Sequence, residues 1–298
     1  MVPSMDPSHS PLQPSPSPSA SPSSTSTNIR IWKPAAQRNL RNQWSKLANL
    51  RHKWTASSSS GRSHATSLVN SFLSQRYMDG MELGVLSDMP DIKKKACLKL
   101  SKQQANHQNK FLSAYKDMVA VVVQMISVSK SMRCYNKVSA SSPLAQFSSS
   151  TENENDNGDG GGTPVFKFWS IASFEEMAEE IIQMFTSELT LKRLLVMALV
   201  SAGDKKVPQL SELNWSDEFY SGEFSDLGAC ELLLSSEPIF PSLSGGKTNT
   251  DVMQHVYQIN REVLQVYLTT WFVEVNIDRY RVDEIFAIVG EEMHVILA

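Results

Sequence analysis

Residues 173–202 read SFEEMAEEIIQMFTSELTLKRLLVMALVSA, and this stretch decides the fold class. Phe174, Met177, Ile181, Phe185, Leu189, Leu195 and Val200 keep the three-to-four spacing of an amphipathic helix, with Ile182, Leu194 and Met197 widening the stripe. The spacing predicts a helix of about eight turns. Ser173 followed by Glu176 has the capping-box form, in which each side chain satisfies a free backbone N–H of the first turn. Gly203 supplies a left-handed stop. Glu175, Glu176, Glu179 and Glu180 crowd the positive end of the helix dipole; Lys192 and Arg193 lie toward the other end, with Glu188 four residues before Lys192.

Immediately upstream, Phe166-Lys167-Phe168-Trp169 places three aromatics within four residues. Such a cluster folds back as a staple on the apolar face of the helix it precedes, or stands out as an anchor for a partner.

The preceding segment reads as further helix. From Pro34 to Trp54, the residues Leu40, Trp44, Leu47 and Trp54 fall on a heptad seam, with Arg51 at the expected apolar place and Pro34 in a first turn. Ser57 to Gly61 reads as a break, after which Ala65, Leu68, Val69, Phe72 and Leu73 resume the pattern. Asp91 to Tyr135 is the longest segment, its seam made by Ile92, Leu100, Phe111, Met118, Val122, Met125 and Met132. At 1.5 Å per residue it is roughly 60 Å long, and so narrow a seam needs neighbouring helices to cover it. Val119 to Val123 is apolar all round and is expected to lie deepest. Lys93-Lys94-Lys95, Lys99 and Lys102 form a solvated face, or a surface for phosphates or nuclear import; no aromatics interleave with them to stack single-stranded bases.

Beyond Gly203, Leu210, Leu213, Trp215, Phe219 and Tyr220 predict a short helix and an aromatic loop, and Leu227, Cys230, Leu233 and Leu234 a helix around 226–235. From Asp251, the positions Val252, Val256, Ile259, Val263, Val266 and Thr270 keep a heptad spacing. A last helix from Arg281 to Leu297 gathers Val282, Ile285, Phe286, Val289, Met293 and Ile296 on one face. The expected fold is therefore all-α, an elongated helical bundle or coiled coil. Its regions are a disordered Ser/Pro-rich tail (1–33), a basic helical region (34–137), a disordered acidic and glycine-rich linker (138–164), a helix block (165–237), a second linker (238–250) and a C-terminal helical extension (251–298).

The net charge of −3 conceals a division between the halves. Residues 28–137 hold 19 Lys and Arg against 5 Asp and Glu, whereas residues 138–298 hold 9 against 25. The basic half can pack on the acidic half, or face nucleic acid or an acidic partner. Cys97, Cys134 and Cys230 lie far apart, so neither a disulfide framework nor a zinc site is expected. The start of the chain lacks the apolar core of a secretory signal, and has no Arg or Lys before Arg30 to support a transit peptide. The run Met118–Val128 is too short to span a bilayer.

Catalytic patterns are missing. Gly245-Gly246-Lys247-Thr248 lacks the upstream glycine of a phosphate-binding loop, which is Pro241 here. The six histidines show no metal-ligand spacing. Neither an enzyme nor any cofactor or metal is expected. Ser10, Ser15, Ser17, Ser21 and Ser142 each precede a proline and are candidate acceptors for a proline-directed kinase.

The run from Phe166 through Trp169, Phe174, Met184, Glu188-Leu189, Leu191-Lys192-Arg193 and on to Gly203-Asp204 resembles the helix block of the cyclin-dependent kinase-interacting protein family, CINP. That family has an aromatic-x-x-Trp lead-in, then a long helix ending in Glu-Leu-x-Leu-Lys-Arg and a Gly-Asp turn. The resemblance extends to Asn42-Gln43-Trp44 and Lys53-Trp54 and from Leu210 to Leu234, including Trp215; it does not reach residues 251–298. It implies a nuclear, non-enzymatic adaptor. Its partners would be a cyclin-dependent kinase and replication or checkpoint factors, or the subunits of an AAA-type ATPase assembly. It makes Trp44, Trp54, Phe166, Trp169, Phe174, Glu188, Leu191, Lys192, Arg193 and Trp215 the candidate partner-binding residues. Two other classes stay open: a basic nucleic-acid-binding module and a structural coiled-coil subunit.

Overall fold

Helix α1 (Ser24–Met78) runs unbroken for 55 residues, about 80 Å at the helical rise. The structure, a computed structural model, describes residues 24–78, 80–137, 146–148, 157–202, 217–230, 232 and 261–297. The protein is all-α. After α1 come α2 (Ile92–Lys130), α3 (Ile171–Ser201), α4 (Glu223–Ala229), α5 (Arg261–Val273) and α6 (Arg279–Met293), with a 3₁₀ turn at Gly84–Leu86. A three-residue antiparallel ladder, β1 (Tyr135–Lys137) on β2 (Gln146–Ser148), is the departure from helix among the described residues.

The seam of α1 holds as read: Leu40, Trp44, Leu47 and Trp54 are all buried. The same row extends back through Ala36 to Trp32, both buried, so α1 begins inside the segment expected to be tail. Pro34 consequently lies well within the helix rather than in its first turn. The expected break at Ser57–Gly61 is also absent, and its small residues have another purpose. They let Trp271 of α5 lie against the helix, where a Cβ on Gly61 would stand 2.6 Å from the indole ring. Trp271 Nε1 donates to the Ser58 carbonyl at 3.0 Å. The modest helix propensity of serine and glycine is outweighed by docking of the largest side chain in the protein's alphabet.

Helices α1 and α2 are antiparallel, tied by Trp32 Nε1 to the Cys134 carbonyl (2.8 Å) at one end and Gln104 to Gln75 (2.9 Å) near the other. On α2, Phe111, Met118, Val122 and Met125 are buried as expected, as is Met132 just past its end. Ile92 and Leu100 are only half-buried, and Ala120 within the apolar run is exposed, because α1 and α3 cover α2 from two sides and not all round. An 18-residue window of α2 is apolar enough to cross a bilayer, and half of it is buried inside the protein. From Phe111 onward, the neighbours that the seam demands are thus supplied by the chain itself.

Three further expectations are corrected. Residues 157–164 belong to the packed protein and not to a loose linker: Cys134 N donates to the Gly158 carbonyl at 2.9 Å, and Gly160 lies under Trp32 in left-handed backbone that a side chain would fill. The Ser173–Glu176 capping box does not form. Helix α3 starts at Ile171, and the three preceding amides, of Lys167, Phe168 and Trp169, donate to Glu292 Oε1 of α6 at 2.9, 2.6 and 3.0 Å. On α5 the buried positions are Leu264 and Trp271, while Val266 of the expected seam is exposed. The face of α6 is as read, with Val282, Ile285, Phe286, Val289 and Met293 buried; Ile296 lies past the helix end and is exposed. Helix α4 spans Glu223–Ala229, three residues earlier than expected. Gly203, residues 233–260 and the tail before Ser24 lie outside the described residues.

Candidate docking surface

The residues that carry the family resemblance are placed mostly inside. Phe166 and Trp169 fold back edge-on to Phe174, with ring centroids 5.7 and 5.3 Å away, so the aromatic lead-in takes the staple arrangement. Phe168 turns outward and is 69% exposed. Trp44 meets Phe286 at 5.7 Å and Trp54 meets Phe185 at 5.1 Å, both edge-on. Leu191 is half-buried. Trp215, Ser10, Ser15, Ser17, Ser21 and Ser142 lie outside the described residues.

Glu188, Lys192 and Arg193 project into the interior from successive turns of α3. Glu188 Oε2 accepts from the backbone and side-chain amides of Asn276, each at 3.1 Å, and Oε1 faces Lys192 Nζ at 3.3 Å. Lys192 donates to the Trp271 carbonyl and lies 4.3 Å from the centroid of the Trp271 ring. Burial holds the Glu188 carboxyl above the usual carboxylate range and the Lys192 ammonium below the usual lysine range, while their mutual attraction opposes both shifts. Arg193 Nε donates to Glu223 Oε1 at 2.9 Å and Nη2 to the Asp217 carbonyl at 2.9 Å. Tyr115 OH donates to the same Glu223 oxygen at 2.8 Å, and burial beside that carboxylate pushes the phenol far up. The motif therefore serves as a set of internal fastenings: Glu188 and Lys192 hold the α5–α6 turn, and Arg193 holds the start of α4.

A second fastening was not foreseen. Glu274, in left-handed backbone (φ 54°), accepts from Trp54 Nε1 at 3.1 Å and Ser58 Oγ at 2.6 Å through one oxygen, and from Arg279 at 3.0 Å through the other. Nothing local in the sequence marks it, because its three partners lie on α1 and α6. Cys230 is buried beside Asp226, which raises its thiol to about 11 and leaves it protonated and unreactive at neutral pH. Among the described residues no group of three or more His, Cys, Asp or Glu is disposed to hold a metal ion.

Exposed apolar side chains occur on α5 and in the α5–α6 turn (Val266, Phe272, Val273, Val275) and at the far end of the α1–α2 hairpin. Between Val69 and Phe111 no apolar residue is fully buried. Helix α2 extends from Gln104 back to Ile92, whereas α1 ends three residues beyond Gln75. Tyr77, Met81, Leu86, Met89 and Leu98 are all more than 40% exposed there, and Val85 is 94% exposed. Among the described residues no ion pair reaches Lys93, Lys94, Lys95, Lys99 or Lys102. Elsewhere the halves do pair, as with Arg133 on Glu175 at 2.8 Å and Arg51 on Asp283.

Compared with protein-family models and with curated proteins, the chain finds no match in either.

Proposed function

We propose that the protein is a non-enzymatic adaptor that presents a helical arm to other proteins. The observation that carries this reading is the division of its polar groups. The buried acids and bases are engaged in holding helices together, while Tyr77, Met81, Val85, Leu86, Met89 and Leu98 are exposed beside a run of lysines at one end of the α1–α2 hairpin. Burial of ionic groups in mutual pairs leaves them poorly placed for proton transfer to a substrate. Following the resemblance to the CINP family, the adaptor links a cyclin-dependent kinase and the replication-initiating kinase to replication or checkpoint factors in the nucleus, or is a subunit of an AAA-type ATPase assembly. Affinity purification from dividing cells, read by mass spectrometry, is expected to recover kinase, replication or ATPase components. Recovery of none of them by a chain that is monomeric in light scattering overturns the reading, as does turnover of a substrate.

The unpaired lysines favour one second reading, a nucleic-acid-binding face along the start of α2. A titration with duplex or single-stranded DNA then shows affinity that falls steeply with salt; absence of binding at low salt removes it.

A further inference from the structure

We infer that the outer end of the α1–α2 hairpin is the docking site for an acidic amphipathic helix of a partner protein, which completes a three-helix core there. This deepens the adaptor reading by naming the surface and the chemistry of what it binds.

The argument starts from burial. Where α3 and α5 lie along the hairpin, α1 and α2 have fully buried rows; past Val69 and Phe111 they have none. Phe72 and Leu73 on α1 are half-buried against the core's end, Leu100 on α2 is half-buried, and Leu98 has 60% of its surface exposed. A single exposed leucine is ordinary, but Tyr77 at the end of α1 and Met81, Leu86 and Met89 in the connecting turn are exposed as well. Two helices cannot enclose an apolar row between them as three can, and among the described residues no apolar side chain is fully buried there, so a third helix would complete the core.

Charge specifies that third helix. Residues 92–110 contain six Lys and no Asp or Glu, and residues 61–78 contain two Arg and no Asp or Glu. Lys94, Lys95 and Lys102 surround Leu98 at helical spacings of three and four, so a helix seated on Leu98 meets ammonium groups on both flanks. Carboxylates beside its apolar stripe are complementary, and lysines there are repelled. An anionic bilayer fits less well, because Glu82, Asp88 and Asp91 are exposed in the same turn as the apolar side chains that would enter it.

The test uses the full-length chain and a labelled peptide of about 21 residues, near the length of the arm, with Leu at heptad core positions and Glu elsewhere. Binding is expected to be at least about tenfold tighter than that of a scrambled peptide of the same composition, and to weaken from about 50 to about 300 mM salt. Leu98→Glu and the combined Lys95→Glu, Lys99→Glu, Lys102→Glu variant each weaken it about tenfold with unchanged circular dichroism, while Lys53→Glu, on the core portion of α1, leaves it intact. Equal affinity for the scrambled peptide, or equal loss with Lys53→Glu, overturns the proposal. So does Leu98-dependent binding to phosphatidylserine vesicles, or carbodiimide cross-linking of Lys95–Lys102 to acidic residues of the same chain in the free monomer. If the peptide fails while purification from cells still recovers the expected components, the adaptor reading stands and this surface is wrong.

Discussion

Lys192 and Glu188 are both sealed from water; burial works against the charge of each, and the charge of each favours that of the other. Lys192→Met leaves the Glu188 carboxylate with Asn276 but without its cation, a change that costs about 3–5 kcal/mol for a buried pair. The sign with pH follows from the direction of the shift. Burial raises the Glu188 pKa, so the folded variant binds its proton before the unfolded chain does; the deficit is greatest above that raised pKa and shrinks as pH falls through it. Urea unfolding of Lys192→Met at several pH values checks this, and a deficit that grows toward acid refutes it. His64, on α1 with its ring 5.8 Å from that of His107 on α2, titrates the opposite way. Burial, Lys110 and His107 all lower the pKa of His64, so the neutral ring is the folded form and its contribution is lost as pH falls below the ordinary histidine value. The melting temperature is expected to drop between pH 7.5 and 5.5, and His64→Gln to flatten that drop.

At the scale of the helix, Gly61 separates two explanations of one sequence feature. If Ser57–Gly61 were a break, a better helix former would be neutral or helpful; because Trp271 lies on Gly61, Gly61→Leu is expected to lose about 2–3 kcal/mol in thermal or urea unfolding. That position also shows what was legible in the chain and what was not. The seam of α1, the stripe of α3 and the face of α6 follow from spacing, since each helix repeats its own contact pattern every turn. The continuity of α1 and the start of α3 do not, because both are decided by residues more than a hundred positions away. Trp271 occupies the space over Gly61, and Glu292 gathers the amides of Lys167, Phe168 and Trp169 just ahead of the helix, which then starts at Ile171. The candidate site was half legible. The lysine run and the polar start of α2 are plain in sequence, whereas the loss of buried apolar rows beyond Val69, among the described residues, depends on how the helices pack.

Across the whole molecule, the division into a basic region, a helix block and a C-terminal extension does not correspond to separate cores, because one buried cluster draws on α1 through α6. The last two helices contribute Leu264, Trp271, Val282, Ile285, Phe286, Val289 and Met293 to it. Each such side chain is worth about 1.5–3 kcal/mol on burial, and together they rival the whole net stability of a domain, about 5–15 kcal/mol. Their removal also strips Glu274 from Trp54, Glu292 from the amides before α3, and Asn276 and the Trp271 carbonyl from Glu188 and Lys192. The buried ions would then face no partner, a penalty added to the lost apolar contacts. A chain ending at residue 260 is therefore expected to lose cooperative unfolding and its near-ultraviolet tryptophan signal while keeping helical far-ultraviolet ellipticity from α1 and α2. An appended extension would leave the melting temperature nearly unchanged on truncation. That outcome would show that the α1–α3 core stands without α5 and α6, and would return Trp54, Glu188 and Lys192 to the surface as groups available to a partner.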